Sequence, residues 1–273
     1  MAGETVARET LELDGVPLSY LHTGEGPLIL LLHGTYWSRV WLPVLPRLAR
    51  ERAVFALDFP GFGRSGGRLE AREASVPALA DLVLRVADTL GIGNFYVAGH
   101  DIGGGVAQRL AAFGDGRVGK LALVNSVLYD SWPVPAVARF GDPEVARSTT
   151  PEEFVETRRR SLRKSTARDL SPDEKEEYLS PWRDEDRVLS WAALAAAADP
   201  RYTLELVEPP RESGPPTLLI WGEEDEFQPM EYARRFEEEI PQARLVTIPG
   251  ALHIPMEDDP ELIGNELSRF FAG

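Results

Sequence analysis

Gly99-His100-Asp101-Ile102-Gly103 sets a carboxylate between two glycines, where the apolar run Phe95 to Ala98 gives way to the small residues Gly103-Gly104-Gly105. A strand that turns directly into a helix through a G-x-nucleophile-x-G sequence holds its central side chain above the sheet edge in a strained conformation. The residue after the nucleophile, here Ile102, then offers its backbone N–H to a developing oxyanion. A carboxylate with a reference pKa of ~3.9 is already ionised at neutral pH and needs no base to become a nucleophile. Its attack on an ester or amide carbonyl would leave a reactive anhydride. Attack on a saturated carbon that carries a leaving group leaves a stable alkyl ester instead. Aspartate at this position therefore points to carbon–halogen bonds or strained carbon–oxygen bonds.

Hydrolysis of such an ester calls for a base, and the chain has four histidines. His22 falls in an early strand pattern, while His33 and His100 are built into turn motifs. His253 follows the last apolar run, in Pro249-Gly250-Ala251-Leu252-His253, and is the expected general base. The acid that would orient it is Asp225, in Trp221-Gly222-Glu223-Glu224-Asp225, with Asp130 after the sixth apolar run as the alternative.

The elements that must carry these residues follow from the apolar pattern. Residues 5 to 13 and 16 to 22 read as two strands joined at Asp14-Gly15, a hairpin dipeptide. Short unbroken apolar runs then recur at Leu28 to Leu32, Ala53 to Leu57, Phe95 to Ala98, Leu121 to Val124, Thr217 to Trp221 and Leu245 to Ile248. Unbroken runs suit strands buried on both faces, as in a parallel sheet covered by helices. Helices are expected at 39 to 50, 75 to 91, 102 to 113, 230 to 239 and 260 to 271. The expected fold is α/β, a mostly parallel twisted sheet with helices on both faces.

Between Trp132 and Gly214 the alternation stops, and helical stretches rich in Arg, Glu and Ala take over. Residues 132–214 are therefore expected to form a helical cap over a core made of 1–131 and 215–273. The basic run Thr157 to Arg168 within it is flanked by acidic residues and is expected to be a solvated helix face.

Composition narrows the partners. With 44 acidic and 29 basic side chains the formal charge is −15, which repels nucleic acid and anionic membranes. There is no cysteine, so no thiolate nucleophile or cysteine-held metal, and neither a metal nor a cofactor is expected. No stretch approaches the ~20 apolar residues of a membrane span, and the N-terminus lacks a signal-peptide pattern; a cytoplasmic monomer or homodimer is expected. Gly61, Gly63 and Gly66 spell G-x-G-x-x-G, but the strand-to-helix turn and the distant acid of a dinucleotide site are missing.

Several motifs stand in the order nucleophile, acid, histidine. They are Leu32-His33-Gly34-Thr35, Asp58-Phe59-Pro60-Gly61-Phe62-Gly63-Arg64-Ser65, the Asp101 turn, Asp225 and His253. Together they resemble the α/β-hydrolase superfamily over essentially the whole chain. The G-H-D-x-G-G elbow resembles its Asp-nucleophile branch, the epoxide hydrolases and the haloalkane and haloacid dehalogenases. The resemblance implies that Thr35 lends a second oxyanion N–H, that Asp225 orients His253, and that a small apolar substrate and water meet under the cap. Epoxide opening ranks first, with Tyr36, Tyr178 and Tyr202 as proton donors or substrate contacts. Dehalogenation is the alternative, although Ile102 and Thr35 stand where haloalkane dehalogenases commonly carry Trp and Asn. Lactone or ester hydrolysis, or a non-catalytic ligand-binding role, rank lower. Candidate apolar walls are Trp132, Trp182, Trp191 and Trp37 or Trp41.

Overall fold

A computed structural model describes residues 6–208 and 213–272. Residues 1–5, where the first expected strand begins, 209–212 near the end of the expected cap, and 273 lie outside the described residues. The chain opens with a hairpin of β1 (Ala7–Leu13) and β2 (Val16–Thr23). Asp14 and Gly15 both adopt positive φ, 53° and 79°, the geometry that a two-residue hairpin turn needs to match strand twist. The remaining strands are β3 (Leu28–Leu32), β4 (Ala53–Leu57), β5 (Phe95–Asp101), β6 (Val118–Ser126), β7 (Thr217–Gly222) and β8 (Ala243–Ile248). They form one eight-stranded sheet in the order β1-β2-β4-β3-β5-β6-β7-β8. Only the β1–β2 and β2–β4 pairings are antiparallel.

The unbroken apolar runs serve two cores at once. Leu30 and Leu32 of β3, Val97 of β5 and Leu219 and Trp221 of β7 face one core, while Ile29, Leu31, Ala98, Leu218 and Ile220 face the other. The first core is closed by α1 (Val76–Thr89) and α2 (Ile102–Phe113), through Leu79, Val83, Val106 and Leu110. The second is closed by a single turn at Leu45–Leu48 and by a C-terminal helix, through Leu45, Leu48, Ile263 and Leu267. A strand whose every side chain is buried cannot alternate with polar residues.

One expected element differs. In place of a helix over 39 to 50 there is a 3₁₀ turn at Ser38–Trp41 and one α-turn at Leu45–Leu48. Pro43 and Pro46 remove two N–H donors from any longer ladder.

The described residues between β6 and β7 hold helices and no strand. The longer ones are α3 (Pro151–Arg163), α4 (Pro172–Leu179) and α5 (Glu185–Ala196). The first two begin with a capping box, Thr150 with Glu153 and Ser171 with Glu174, and with Pro at the first helical position. Phe140, Phe154, Trp182 and Trp191 meet edge to face, with ring centroids 5.2 to 5.7 Å apart, and knit these helices into one layer. Two further helices, α6 (Met230–Glu239) and α7 (Pro260–Ala272), complete the covering of the sheet. Among the described residues no helix is long and apolar enough to cross a membrane.

Candidate active site

β5 ends on Asp101 and α2 begins on Ile102 with nothing between them. Asp101 takes φ 53° and ψ −125°, a conformation that costs a non-glycine residue about 1–3 kcal/mol and persists only where its surroundings impose it. The surroundings here are glycines. A Cβ on Gly99 would lie 2.2 Å from the Gly103 carbonyl oxygen, and one on Gly103 2.4 Å from that of Leu32. The first turn of α2 is thus pressed against the ends of β3 and β5. A Cβ on Gly34 would lie 2.4 Å from the Asp101 carboxylate, so the nucleophile position fills the space that a side chain at 34 would take.

Two donors of Thr35 converge on that carboxylate. Its backbone N–H reaches Asp101 Oδ2 at 2.9 Å and its hydroxyl reaches the same oxygen at 2.8 Å. The Thr35 carbonyl in turn accepts from Arg158 Nη2 of α3 at 2.8 Å and from Trp191 Nε1 of α5 at 3.2 Å. Ile102, as the first residue of α2, has no intrahelical acceptor for its own N–H.

His253 Nε2 lies 3.8 Å from Asp101 Oδ2, within ion-pair range but too far for a hydrogen bond. Its Nδ1 donates to Asp225 Oδ2 at 2.9 Å. Asp225 is fixed by two further donors, Asn125 Nδ2 to Oδ2 at 2.6 Å and the Phe227 N–H to Oδ1 at 2.8 Å, and Asn125 is itself anchored as its Oδ1 accepts from the Gly222 N–H at 3.0 Å. His100 Nε2 donates to the His253 carbonyl at 2.8 Å, which ties the His253 loop to β5.

Charges follow from this packing. Burial opposes a charge on His253, but the Asp225 and Asp101 carboxylates outweigh it and raise its pKa to about 10. Burial likewise opposes a charge on Asp101, yet the opposing His253 and the Thr35 N–H lower it to about 2. Burial and the nearby His253 bring His100 down to about 4, so it is neutral. The resting arrangement is an imidazolium between two carboxylates.

The profile of the alpha/beta hydrolase fold matches residues 27–260. The chain belongs to the alpha/beta hydrolase fold family. It is 30% identical over 254 residues to a pimeloyl-acyl-carrier-protein methyl ester esterase of Nitrosomonas europaea, covering 88% of this chain and 93% of the relative. It is 29% identical over 266 residues to haloalkane dehalogenase 2 of Mycobacterium bovis, covering 93% and 91%. The haloalkane dehalogenase DbeA of Bradyrhizobium elkani superposes with a TM-score of 0.87 at 24% identity, over 98% of both chains, a likeness of fold. The named relatives are thus an esterase and dehalogenases on one scaffold.

In this alpha/beta hydrolase the expected residues separate into those at the site and those elsewhere. Asp101, Thr35 and His253 line one cavity together with Tyr36, Trp132 and Arg158. Asp225 is the acid beside His253; Asp130 is exposed and pairs instead with Tyr232. Tyr178 does not line the cavity: its hydroxyl donates to Glu257 Oε1 at 2.8 Å, and burial together with that carboxylate pushes it well above the usual phenol range. Tyr202, half-buried on the turn Arg201–Leu204, is also absent from the lining. Trp37 is buried beneath the guanidinium groups of Arg8 and Arg64, 5.3 and 5.5 Å from its ring, while Trp182 and Trp191 belong to the aromatic layer.

The glycine-rich loop after β4 wraps a carboxylate. Asp58 accepts from the Ser38 N–H at 2.8 Å and the Arg64 N–H at 3.0 Å, and a Cβ on Gly63 would strike its carboxyl group at 2.5 Å. A phosphate has no place there. Among the described residues no group of three His, Asp or Glu is arranged to hold a metal ion.

Two residues at the site carried no sequence motif. Asn125, at the end of β6, holds Asp225. Arg158 lies in the basic run expected to be solvated, yet it is only 4% exposed. Arg160 and Arg163 of the same run are exposed, Arg159 is half-buried, and all three pair with Glu156. The signal was the phase of α3: Phe154, Arg158 and Leu162 recur every four residues along its buried face. The cavity itself is about 40 Å³, room for roughly three waters at ~10–15 Å³ each. Larger hollows exist, such as one of about 320 Å³ beside Gln108 and Phe236, but that one is not lined by Thr35, Asp101, Arg158 or His253.

Proposed function

We propose that the chain is a hydrolase in which Asp101 displaces a leaving group from a saturated carbon and His253 directs water onto the resulting alkyl ester. The observation that carries this reading is the ionised carboxylate at the elbow, with Oδ2 held by Thr35 and a His253–Asp225 pair alongside. All these contacts fall on Oδ2, which leaves Oδ1 to attack. The Oδ1–carbon bond forms as the carbon–leaving-group bond breaks, and the leaving group departs with the electron pair. Water then adds to the Asp101 carboxyl carbon and gives its proton to His253. The tetrahedral oxyanion rests on the Thr35 and Ile102 N–H groups, each worth about 3 kcal/mol by comparison with other oxyanion holes. Collapse expels the product alkoxide, which takes that proton from His253; the acid proton left on the Asp101 carboxyl then passes to His253, restoring the carboxylate and the imidazolium.

The charge state of His253 suits this order. While Asp101 is ionised, His253 is held protonated and is no base. Alkylation removes one of the carboxylates that keep it charged, so His253 releases its proton to solvent and becomes a base at the step that uses one. The described helices between β6 and β7 act as a cap that excludes water from the first step, through the contacts of α3 and α5 with Thr35.

A carbon–halogen bond is the favoured target. Epoxide opening requires a hydroxyl beside the departing oxygen, and Tyr178 and Tyr202 are not at the cavity. The haloalkane dehalogenase relative, alike over most of both chains, supports the same ranking. Epoxide hydrolysis stands second because Tyr36 does line the cavity, although its hydroxyl is engaged with Ser161 and Ser165 at 3.3 and 3.1 Å. The test is a His253→Gln protein incubated with small haloalkanes and epoxides, followed by peptide mass spectrometry. An alkyl group on the Asp101 peptide is expected; product formation with no adduct there would refute the two-step mechanism.

A further inference from the structure

We propose that Arg158 recognises an anionic group of the substrate, and that the carbon attacked by Asp101 bears a carboxylate or a similar anion. This replaces the apolar substrate expected from sequence and rests on Asp101 being the nucleophile.

Arg158 is a buried guanidinium with no carboxylate of the described residues within ion-pair distance. Its Nη2 is satisfied by the Thr35 carbonyl, and its buried Nε has no partner. A charge in that position costs several kcal/mol unless something compensates it. Three aromatic faces do so in part, those of Tyr36 at 4.1 Å, Trp182 at 5.6 Å and Trp191 at 5.5 Å. Burial lowers its pKa, with Tyr36 and Asp101 pulling the other way. Its neighbours on α3, by contrast, reach Glu156 in solvent. A molecule whose formal charge is −15 repels anions at long range, so an anionic substrate needs a local cation of this kind.

Position distinguishes a substrate substituent from a leaving group. A leaving group departs in line with the attacking oxygen, on the far side of the carbon. Arg158 is bonded to Thr35, the same residue whose N–H and hydroxyl hold Asp101; it flanks the nucleophile and does not oppose it. A substituent on the reacting carbon projects to that side. The guanidinium would also offset the repulsion between the substrate anion and Asp101 itself. The cavity of about 40 Å³ suits an acid of two or three carbons.

The test uses Asp101→Asn, which cannot be alkylated in the same way, titrated calorimetrically with chloroacetate and with the neutral chloroacetamide. A charge-assisted contact predicts chloroacetate binding about 10–100-fold tighter. Adding Arg158→Met should erase the preference, and Arg158→Lys should retain part of it; thermal unfolding checks that each variant is folded. Equal affinities in the Arg158-bearing protein, or a preference that survives Arg158→Met, would overturn the proposal. Competition by bromide in place of chloroacetate would likewise overturn it, by assigning Arg158 to the leaving group. The nucleophile is tested separately: if His253→Gln gains a chloroacetamide adduct at Asp101 while the titrations show no preference, only the role of Arg158 falls. A preference with no adduct would instead refute the mechanism and leave the anion site standing.

Discussion

Replacing Asp101 with Asn imitates the proposed alkyl ester, since it removes the charge and keeps the shape. The Asp101 carboxylate lies 3.8 Å from His253 Nε2, and at an effective dielectric of about 20 two unit charges at that distance attract by about 4 kcal/mol. A tenfold change in a protonation equilibrium corresponds to about 1.4 kcal/mol, so the substitution should weaken proton binding at His253 by about a thousandfold. In the intact protein His253 titrates at about 10; in Asp101→Asn its midpoint should fall to near neutral pH. Carbon-13 labelling of histidine allows both proteins to be followed by NMR from pH 5 to 11, with His253→Gln identifying the resonance. A change of less than tenfold would refute the idea that ester formation switches on the base. Stability carries the same sign. A raised histidine pKa contributes fully below its unfolded value near 6.5 and is lost as pH rises through about 10. The native protein should therefore lose more stability to urea between pH 7 and 10 than Asp101→Asn does.

Gly34→Ala would place a Cβ 2.4 Å from the Asp101 carboxylate and should cost about 1–3 kcal/mol in urea unfolding, together with most of the activity; unchanged turnover would contradict the close approach. Asn125→Leu strips two hydrogen bonds from the acid and its strand and should lower turnover at least tenfold, with a measurable fall in the His253 midpoint as Asp225 loses its orientation. Glu257→Gln breaks a buried ion pair to Arg39, at 2.7 Å, and a half-buried one to Arg168. Because Arg39 keeps Glu177 and Arg168 keeps Glu174, it should destabilise the protein by about 1–3 kcal/mol in chemical denaturation. Trp191→Phe keeps the aromatic packing but deletes the indole donor to Thr35; it should reduce turnover more than it reduces the unfolding midpoint.

The placement of Asp101, His253 and Asp225 in one site was legible because turn geometry writes itself locally. Gly34, Gly99 and Gly103 are demanded by close approaches, and Asp225 and His253 stand where strands β7 and β8 give out into loops. The sheet was legible for a related reason, since two-sided burial leaves no room for polar interruption. Contacts formed across the fold were not. Tyr178 promised a hydroxyl in the cavity, but it meets Glu257, a partner distant in sequence that belongs to the second core's side of the molecule. Arg158 was hidden among arginines of identical type, and only its helical phase sets it apart. Over 39 to 50 the apolar residues suit a helix, but Pro43 and Pro46 break it into two short turns.

The double-sided sheet also bears on how such a protein can change. In the register of β3 with β5, Leu32 stands beside Gly99, so Thr35 and Asp101 emerge a few residues past a fixed seam. Their alignment is inherited from dry side chains such as Leu31 and Ala98 that touch neither substrate nor water. Slipping either strand by one residue would exchange its two faces and scatter the site. Substitution in the loops and in the helices above them leaves that seam untouched. The chemistry at the strand ends can accordingly be retargeted by mutation from above, while the scaffold below tolerates little.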